Sequence, residues 1–322
     1  MHRRIREQSP ARLLGFLLGG AAALVLLYLT LEAFMWVTFS FLFPMFCWLG
    51  GGGGMACNPF LQRGLAAGVF IGVTGPLIGA YVVNRQMALI GEALAHTAFA
   101  GVAIGLLLGT FVEWADYPLV TAVIVAVLAA LGLQHLATHT DAYGDVPLAI
   151  LLTGSFAFGL AIISTGVGFG RTVNSYLFGS ILTVTYGDVQ LMAALSVVVI
   201  VTVALTHKQL LFITFDREAA RLARINVRLY DTLLIVLTAL VVVAAMQILG
   251  AILVAAMLVV PVAAAMQLVD SFGRMMLISV AVGEVAVVGG IVLSGVLGAA
   301  SGPMIVLTAI AIYLGCLAVT AR

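Results

Sequence analysis

Residues 229–269 read LYDTLLIVLTALVVVAAMQILGAILVAAMLVVPVAAAMQLV, an apolar stretch long enough for two passes through a lipid bilayer. A hydrocarbon core of roughly 30 Å takes about 20 helical residues to cross, and Gly250 falls where two such runs meet. The stretch lacks the alternation of a barrel strand, and backbone polar groups in lipid must be satisfied within the segment, so it reads as helix. The first run, 229–248, is a plain span. The second, 250–269, is expected to cross as well, although Pro261 interrupts it and a broken helix is the rival reading. Losing that crossing would flip the side of every later segment.

Outward from there the pattern repeats. Runs at roughly 60–83, 87–109, 118–136, 147–168, 188–206, 275–297 and 303–320 complete the core. Of 322 residues, 63% are hydrophobic and 8% charged, which excludes an ordinary soluble domain. The fold class expected is an all-α integral membrane protein, a polytopic bundle of about 9–10 transmembrane helices. The additional helix is an anchor at Leu13–Ala33, too long for a signal-peptide core and without a small-x-small cleavage site. An aromatic stretch, Phe34–Trp48, and a glycine run, Gly50–Gly54, then lead to Asn58-Pro59. Two units follow: residues 1–58, an N-terminal extension with an anchor helix and a Gly-rich external loop, and residues 59–322, the core.

The net charge is only +1, but the basic residues cluster at Arg3–Arg12 and Lys208–Arg228, both cytoplasmic by the positive-inside rule. That places both termini in the cytoplasm of a multi-pass membrane protein, with Arg63 and Arg171 on the wrong side. The single lysine, Lys208, sits in Thr206-His207-Lys208-Gln209, which is no phosphate-cradling loop. No ATPase, enzyme activity or nucleic-acid partner is therefore expected of this chain. Cys47 and Cys57 share the external loop, where a disulfide can form, and Cys316 lies in the last run. Glycines at four-residue spacing, Gly68/Gly72, Gly75/Gly79 and Gly101/Gly105/Gly109, mark faces where helix backbones approach closely.

The segment richest in chemistry is RQMALIGEALAH, Arg85–His96. Glu92 and His96 fall on one helix face, about 6 Å apart along the axis. An acidic residue at mid-membrane costs about 2.5–3.5 kcal/mol, so a helix that keeps two ionisable groups together has a use for them. Carboxylate plus imidazole suits zinc, manganese or ferrous iron. A Glu–His hydrogen bond that locks two helices is the alternative, and residue chemistry alone leaves both open. The segment FDREAARLARIN, Phe215–Asn226, is too polar and short to cross and reads as a cytoplasmic helix capped by Thr214 or Asp216. Arg217, Arg221, Arg224 and Arg228 form a stripe on it that can meet headgroups or an acidic partner.

At this point the chain resembles the permease subunits of zinc- and manganese-type metal-ion ABC transporters. The resemblance runs from about Pro59 to Thr320. It rests on Arg85-x-Met-x-x-x-Gly-acid-x-x-x-His96, on Leu177-Phe178-Gly179-Ser180 with Gly187-Asp188, and on Phe215-Asp216. Gly250-Ala251-Ile252-Leu253 leading to Pro261-Val262-Ala263, and Ser301-Gly302-Pro303, complete it. The resemblance implies a homodimer forming the path, a separate ATP-binding subunit on the cytoplasmic side, an extracytoplasmic metal-binding protein, and no resident cofactor beyond the transported Zn, Mn or Fe. It implies that Glu92 and His96 line the metal path, although aspartate is more usual at Glu92. It also makes the coupling helix Phe215, Asp216, Arg217, Glu218, Arg221 and Arg224. The extension has no counterpart in the pattern.

Weaker candidates are His135 and His139, an i,i+4 pair near Asp141 and Asp145, and Glu284, which reads as the partner of an arginine on another helix or as a second path ligand. Glu113 and Asp116 stand at the external mouth. Two rival functions remain. A stand-alone secondary metal-cation transporter leaves the short basic helix unexplained. An intramembrane hydrolase with Ser155 as nucleophile and His96 as base lacks a Gly-x-Ser-x-Gly frame.

Overall fold

The computed structural model describes residues 58–110, 118–139, 146–165 and 170–320. The anchor helix, the Cys47/Cys57 pair, Glu113, Asp116, Asp141 and Asp145 lie outside the described residues, as does the side chain of His139. Among the described residues the chain is helical: α1 (Pro59–Asn84), α2 (Leu89–Gly109), α3 (Pro118–His139), α4 (Val146–Ser164), α5 (Gly170–Phe178), α6 (Tyr186–Phe215), α7 (Arg217–Leu222), α8 (Val227–Leu249), α9 (Val254–Met266), α10 (Phe272–Leu297) and α11 (Ser301–Thr320). Eight of these are long and apolar enough to cross a membrane.

Local chemistry sets the ends. Asn58 accepts a hydrogen bond from Phe60 N at 3.0 Å and Pro59 occupies the first turn of α1, where its missing N–H is not needed. Thr185 and Asp188 form a reciprocal capping box on α6. Gly298 closes α10 at φ 64, a left-handed stop that glycine adopts without strain.

Successive long helices run in opposite directions between two ends. One end holds Asn58, Gly179, Ser294 and Ser301, which line a common pocket. The other holds Arg85, Leu210, Thr214 and Asp231, joined by hydrogen bonds. The apolar windows of α1, α2 and α8 are 72%, 78% and 78% buried, whereas those of α4 and α11 are 11% and 22% buried. The first three are therefore the inner scaffold, and the last two turn most of their surface outward from the chain.

The glycine rows act as the sequence suggests. A Cβ on Gly68 would meet Val287, one on Gly72 would meet Glu284, and one on Gly79 would strike the Leu258 carbonyl, so α10 and α9 lie directly on α1. Gly101 and Gly105 likewise admit α3, at Ala122 and Thr121.

The second half of the opening stretch needs correction. The expected crossing at 250–269 is a 13-residue helix, about 20 Å long and too short to span alone. A tight turn at Ala251–Leu253 precedes it. The chain still returns: Gly250 lies against Leu177 and Phe178 at the Asn58 end, while Ala265 packs with Ala80 and Met275 toward the Arg85 end. The direction of α10 and α11 is thus kept. Helical structure also continues past the expected end of the 188–206 span to Phe215, so Phe215 closes α6 instead of opening the short helix.

At the Asn58 end three loops interlock. Ser180 N donates to Gln247 O at 3.0 Å, Ala251 N to Tyr176 O at 2.8 Å, and Ser301 Oγ to Ile248 O at 2.9 Å. Gly179, Gly250 and Gly302 stand where any Cβ would strike a neighbouring backbone. The first two also have positive φ, so glycine is required there twice over.

Candidate metal path

The turn between α1 and α2 is closed by Met87 N donating to Val82 O at 2.9 Å, with Gln86 in the left-handed region at φ 59. Helix α2 then starts at Leu89 and carries Glu92 in its first turn, where the helix N-terminus favours a carboxylate. His96 follows one turn later and is only 8% exposed. Its ring meets Phe156 of α4 edge to face, with centroids 4.6 Å apart. Nδ1 of His96 is buried and has no hydrogen-bond partner. An unanswered buried polar atom costs about 1–3 kcal/mol, and an imidazole nitrogen with its lone pair free is a metal ligand. Glu92 is half-buried and makes no hydrogen bond or ion pair with another described residue. No hydrogen bond between Glu92 and His96 locks helices together. The pair is open to a ligand.

Among the described residues no group of three or more His, Cys, Asp and Glu comes together. A metal at Glu92 and His96 thus takes its other ligands from water or from beyond this pair. His135 lies within α3, and the structure brings no other described metal-ligating residues to it in a group of three. Ser155 Oγ donates to Leu151 O of its own helix at 2.5 Å and is not bonded to His96, so the hydrolase geometry is missing.

Glu284 does not meet the expected arginine: it sits near the middle of α10, and no arginine pairs with it among the described residues. Oε1 of Glu284 is buried without a partner. Gly72 lets α10 come so close that Glu284 Oε1 lies 2.7 Å from where a Gly72 Cβ would stand, so this carboxylate is packed against α1. Glu284 remains an unpaired carboxylate on the α1–α10 seam.

The short basic helix forms inside the expected 215–226 segment but covers only half of it, Arg224 falling in a left-handed turn beyond its end. α7 spans Arg217–Leu222, and Asp216 Oδ1 accepts from Ala219 N at 2.9 Å, so Asp216 is the cap and Thr214 is not. Arg221 pairs with Glu218 at 2.9 Å, both exposed. Arg217 reaches instead to Asp231 of α8.

Asp231 was not singled out from sequence. Its second oxygen receives Arg85 Nη1 at 2.8 Å, and the same guanidinium donates to Thr214 Oγ1 at 2.9 Å and Leu210 O at 3.1 Å. The side chains of Arg85 and Asp231 are 7% and 9% exposed. Burial pulls the Arg85 guanidinium below its ordinary pKa, and the Asp231 carboxylate pulls it back up. Beside this network Tyr81 Oη and His207 Nδ1 share a 2.6 Å hydrogen bond. The available signal was a carboxylate inside an apolar span, the same signal that marked Glu92. Lys208 lies within α6, in no phosphate-binding loop.

Helices of alternating direction around an apolar core, with a polar pair buried inside and a capped helix at one end, define a polytopic membrane protein of the permease type. The ABC 3 transport family matches residues 57–320, and the chain belongs to that family. It is 32% identical over 254 residues to the manganese transport system membrane protein MntC of Halalkalibacterium halodurans, covering 79% of this chain and 85% of the relative. The manganese import system permease protein ScaB of Streptococcus parasanguinis is 32% identical over 256 residues, covering 79% and 89%. Among solved structures, a chain of PsaBC from Streptococcus pneumoniae in complex with Fab superposes with a TM-score of 0.72 at 29% identity, over 80% of this chain and 91% of that one.

Proposed function

We propose that this chain is the permease subunit of an ATP-driven importer for a divalent transition-metal ion, with manganese the first ion to test ahead of zinc and iron. The carrying observation is the orphaned Nδ1 of His96 one turn from the unpaired Glu92. The names of the two relatives favour manganese, and a mixed carboxylate–imidazole donor set suits it. Two copies of the chain frame the path. A separate ATP-binding subunit docks at the Arg85 end, which the clustered arginines of α7 and its flanks assign to the cytoplasm. An extracytoplasmic binding protein delivers the ion at the Asn58 end. In this orientation both ends of the chain are cytoplasmic.

Metal binding needs deprotonated ligands, so the ion displaces any proton from His96 and holds Glu92 ionised. Hydrolysis in the partner subunit moves α7, the coupling helix, and opens the path on one side at a time. The test is uptake of radioactive manganese and zinc into vesicles holding this chain with its ATPase and binding protein. Uptake that requires ATP and is lost in His96→Ala and Glu92→Gln, with assembly intact, is expected. Unchanged uptake in both variants sinks the site, and uptake without ATP turns the reading to a stand-alone secondary transporter.

A further inference from the structure

The mechanism above leaves one question open: how movement of α7 reaches the metal ligands on α2. The two helices are far apart in sequence and α7 carries no residue that touches Glu92 or His96. Two links join them: Arg85 is hydrogen-bonded to Thr214 at the end of α6, just before α7, and a side chain of α7 itself reaches Arg85 through one shared carboxylate.

We propose that Asp231 is the positioning residue that transmits displacement of α7 to the N-terminus of α2. Its two oxygens are divided between two cations: Arg217, the first residue of α7, and Arg85, in the turn that launches α2. The two halves of this bridge differ in character. Arg85 and Asp231 are both buried, and Arg85 is held by two further hydrogen bonds to α6, so that half is fixed. Arg217 is 56% exposed, so its hold on Asp231 is the half that can be made and broken at modest cost.

The surrounding backbone suits such a lever. α7 hangs between two non-helical joints: Asp216, extended at φ −145 and ψ 96, and Arg224, left-handed at φ 59. A non-glycine residue with positive φ is uncommon and marks a place where the chain is held in a particular shape. The second such residue among those described is Gln86, beside Arg85 in the turn before α2. Both ends of the route therefore meet a constrained turn. From Arg85 the chain enters α2 at Leu89, and Glu92 lies in the first turn of that helix. A shift of Asp231 thus enters α2 at its first turn, the turn that carries the Glu92 carboxylate.

This inference rests on the proposed function, and the experiment separates the two. Full-length chain is assembled with its ATPase and binding protein in vesicles, and manganese uptake and ATP hydrolysis are measured together. In Arg217→Gln the ratio of manganese imported to ATP hydrolysed is expected to fall about tenfold, the scale of an ordinary coupling free energy. Arg217→Lys, which keeps a charge for Asp231, should restore the ratio. Asp231→Asn should lower it as Arg217→Gln does. A purely structural role would lower uptake and hydrolysis together and leave the ratio alone. A wild-type ratio in Arg217→Gln, a parallel fall of both rates, or failure of lysine to restore the ratio overturns the inference while the importer reading stands. Wild-type uptake that ignores ATP overturns both.

Discussion

Two sets of ionisable side chains, one where α6, α7, α8 and the α1–α2 turn meet and the other on α2, are built on opposite principles. Around Asp231 every charge is answered: two arginines, a threonine hydroxyl and a backbone carbonyl close the set. Around His96 the set is open, with a buried nitrogen that nothing contacts by hydrogen bond and a neighbouring carboxylate without a partner. A closed network holds shape, because removing one member strands a charge. An open one has donor atoms to offer, because a ligand relieves a penalty that the fold leaves in place. The difference supports the two proposals made above, transmission for the first and cargo for the second.

That assignment breaks most readily at Asp231. Asp231→Ala leaves Arg85 buried without its counter-ion and should destabilise the protein by about 3–5 kcal/mol, read as a drop in thermal unfolding midpoint in detergent. A midpoint within error of wild type would mean that water reaches Arg85 freely. His96→Ala should behave in the opposite way, cutting manganese uptake by about 10–100-fold, the range for disturbing a metal's surroundings, with little loss of stability. If His96→Ala unfolds the protein, its imidazole is a packing element and the comparison fails. Glu92→Asp sharpens the cargo side: a carboxylate drawn back by one methylene should shift the manganese-to-zinc uptake ratio severalfold, since geometry and ligand placement set metal choice. Least affected should be Arg221→Ala, whose exposed pair with Glu218 contributes about 0.3 kcal/mol or less to the unfolding free energy.

The long helices were legible because each obeys a local rule: enough apolar residues to cross and a cap or glycine to stop. The glycine faces were legible too, and α1 with its row Gly68, Gly72 and Gly79 packs as the spacing implies. α9 was overread because hydropathy cannot see that Ala251–Leu253 coil into a turn before the helix begins. Glu92 and His96 stood out because helical spacing alone puts them one turn apart. Asp231 did not, since its two cations come from the α1–α2 turn and from α7, a pairing that only the folded chain creates. The arginine expected for Glu284 failed for a related reason: helix packing, which a single span does not reveal, seats that carboxylate against Gly72 of α1, and no arginine pairs with it there among the described residues.

The interlocked loops at the Asn58 end carry a consequence for how the protein is made. Ser180 N and the carbonyls of Tyr176 and Leu177 find their partners on residues Gln247–Ile252, and Gly302 later fits against the Leu249 and Phe178 carbonyls. A ribosome adding about 5–20 residues per second delivers Gln247–Ile252 roughly 4–15 seconds after Gly179, and Gly302 seconds later again. Through that interval the early loop holds backbone groups without their final partners, next to a lipid phase that cannot supply any. The nascent chain must therefore keep this end in the watery headgroup layer or under an insertase's protection, and truncation before Gln247 should leave a species that quality-control proteases recognise there first.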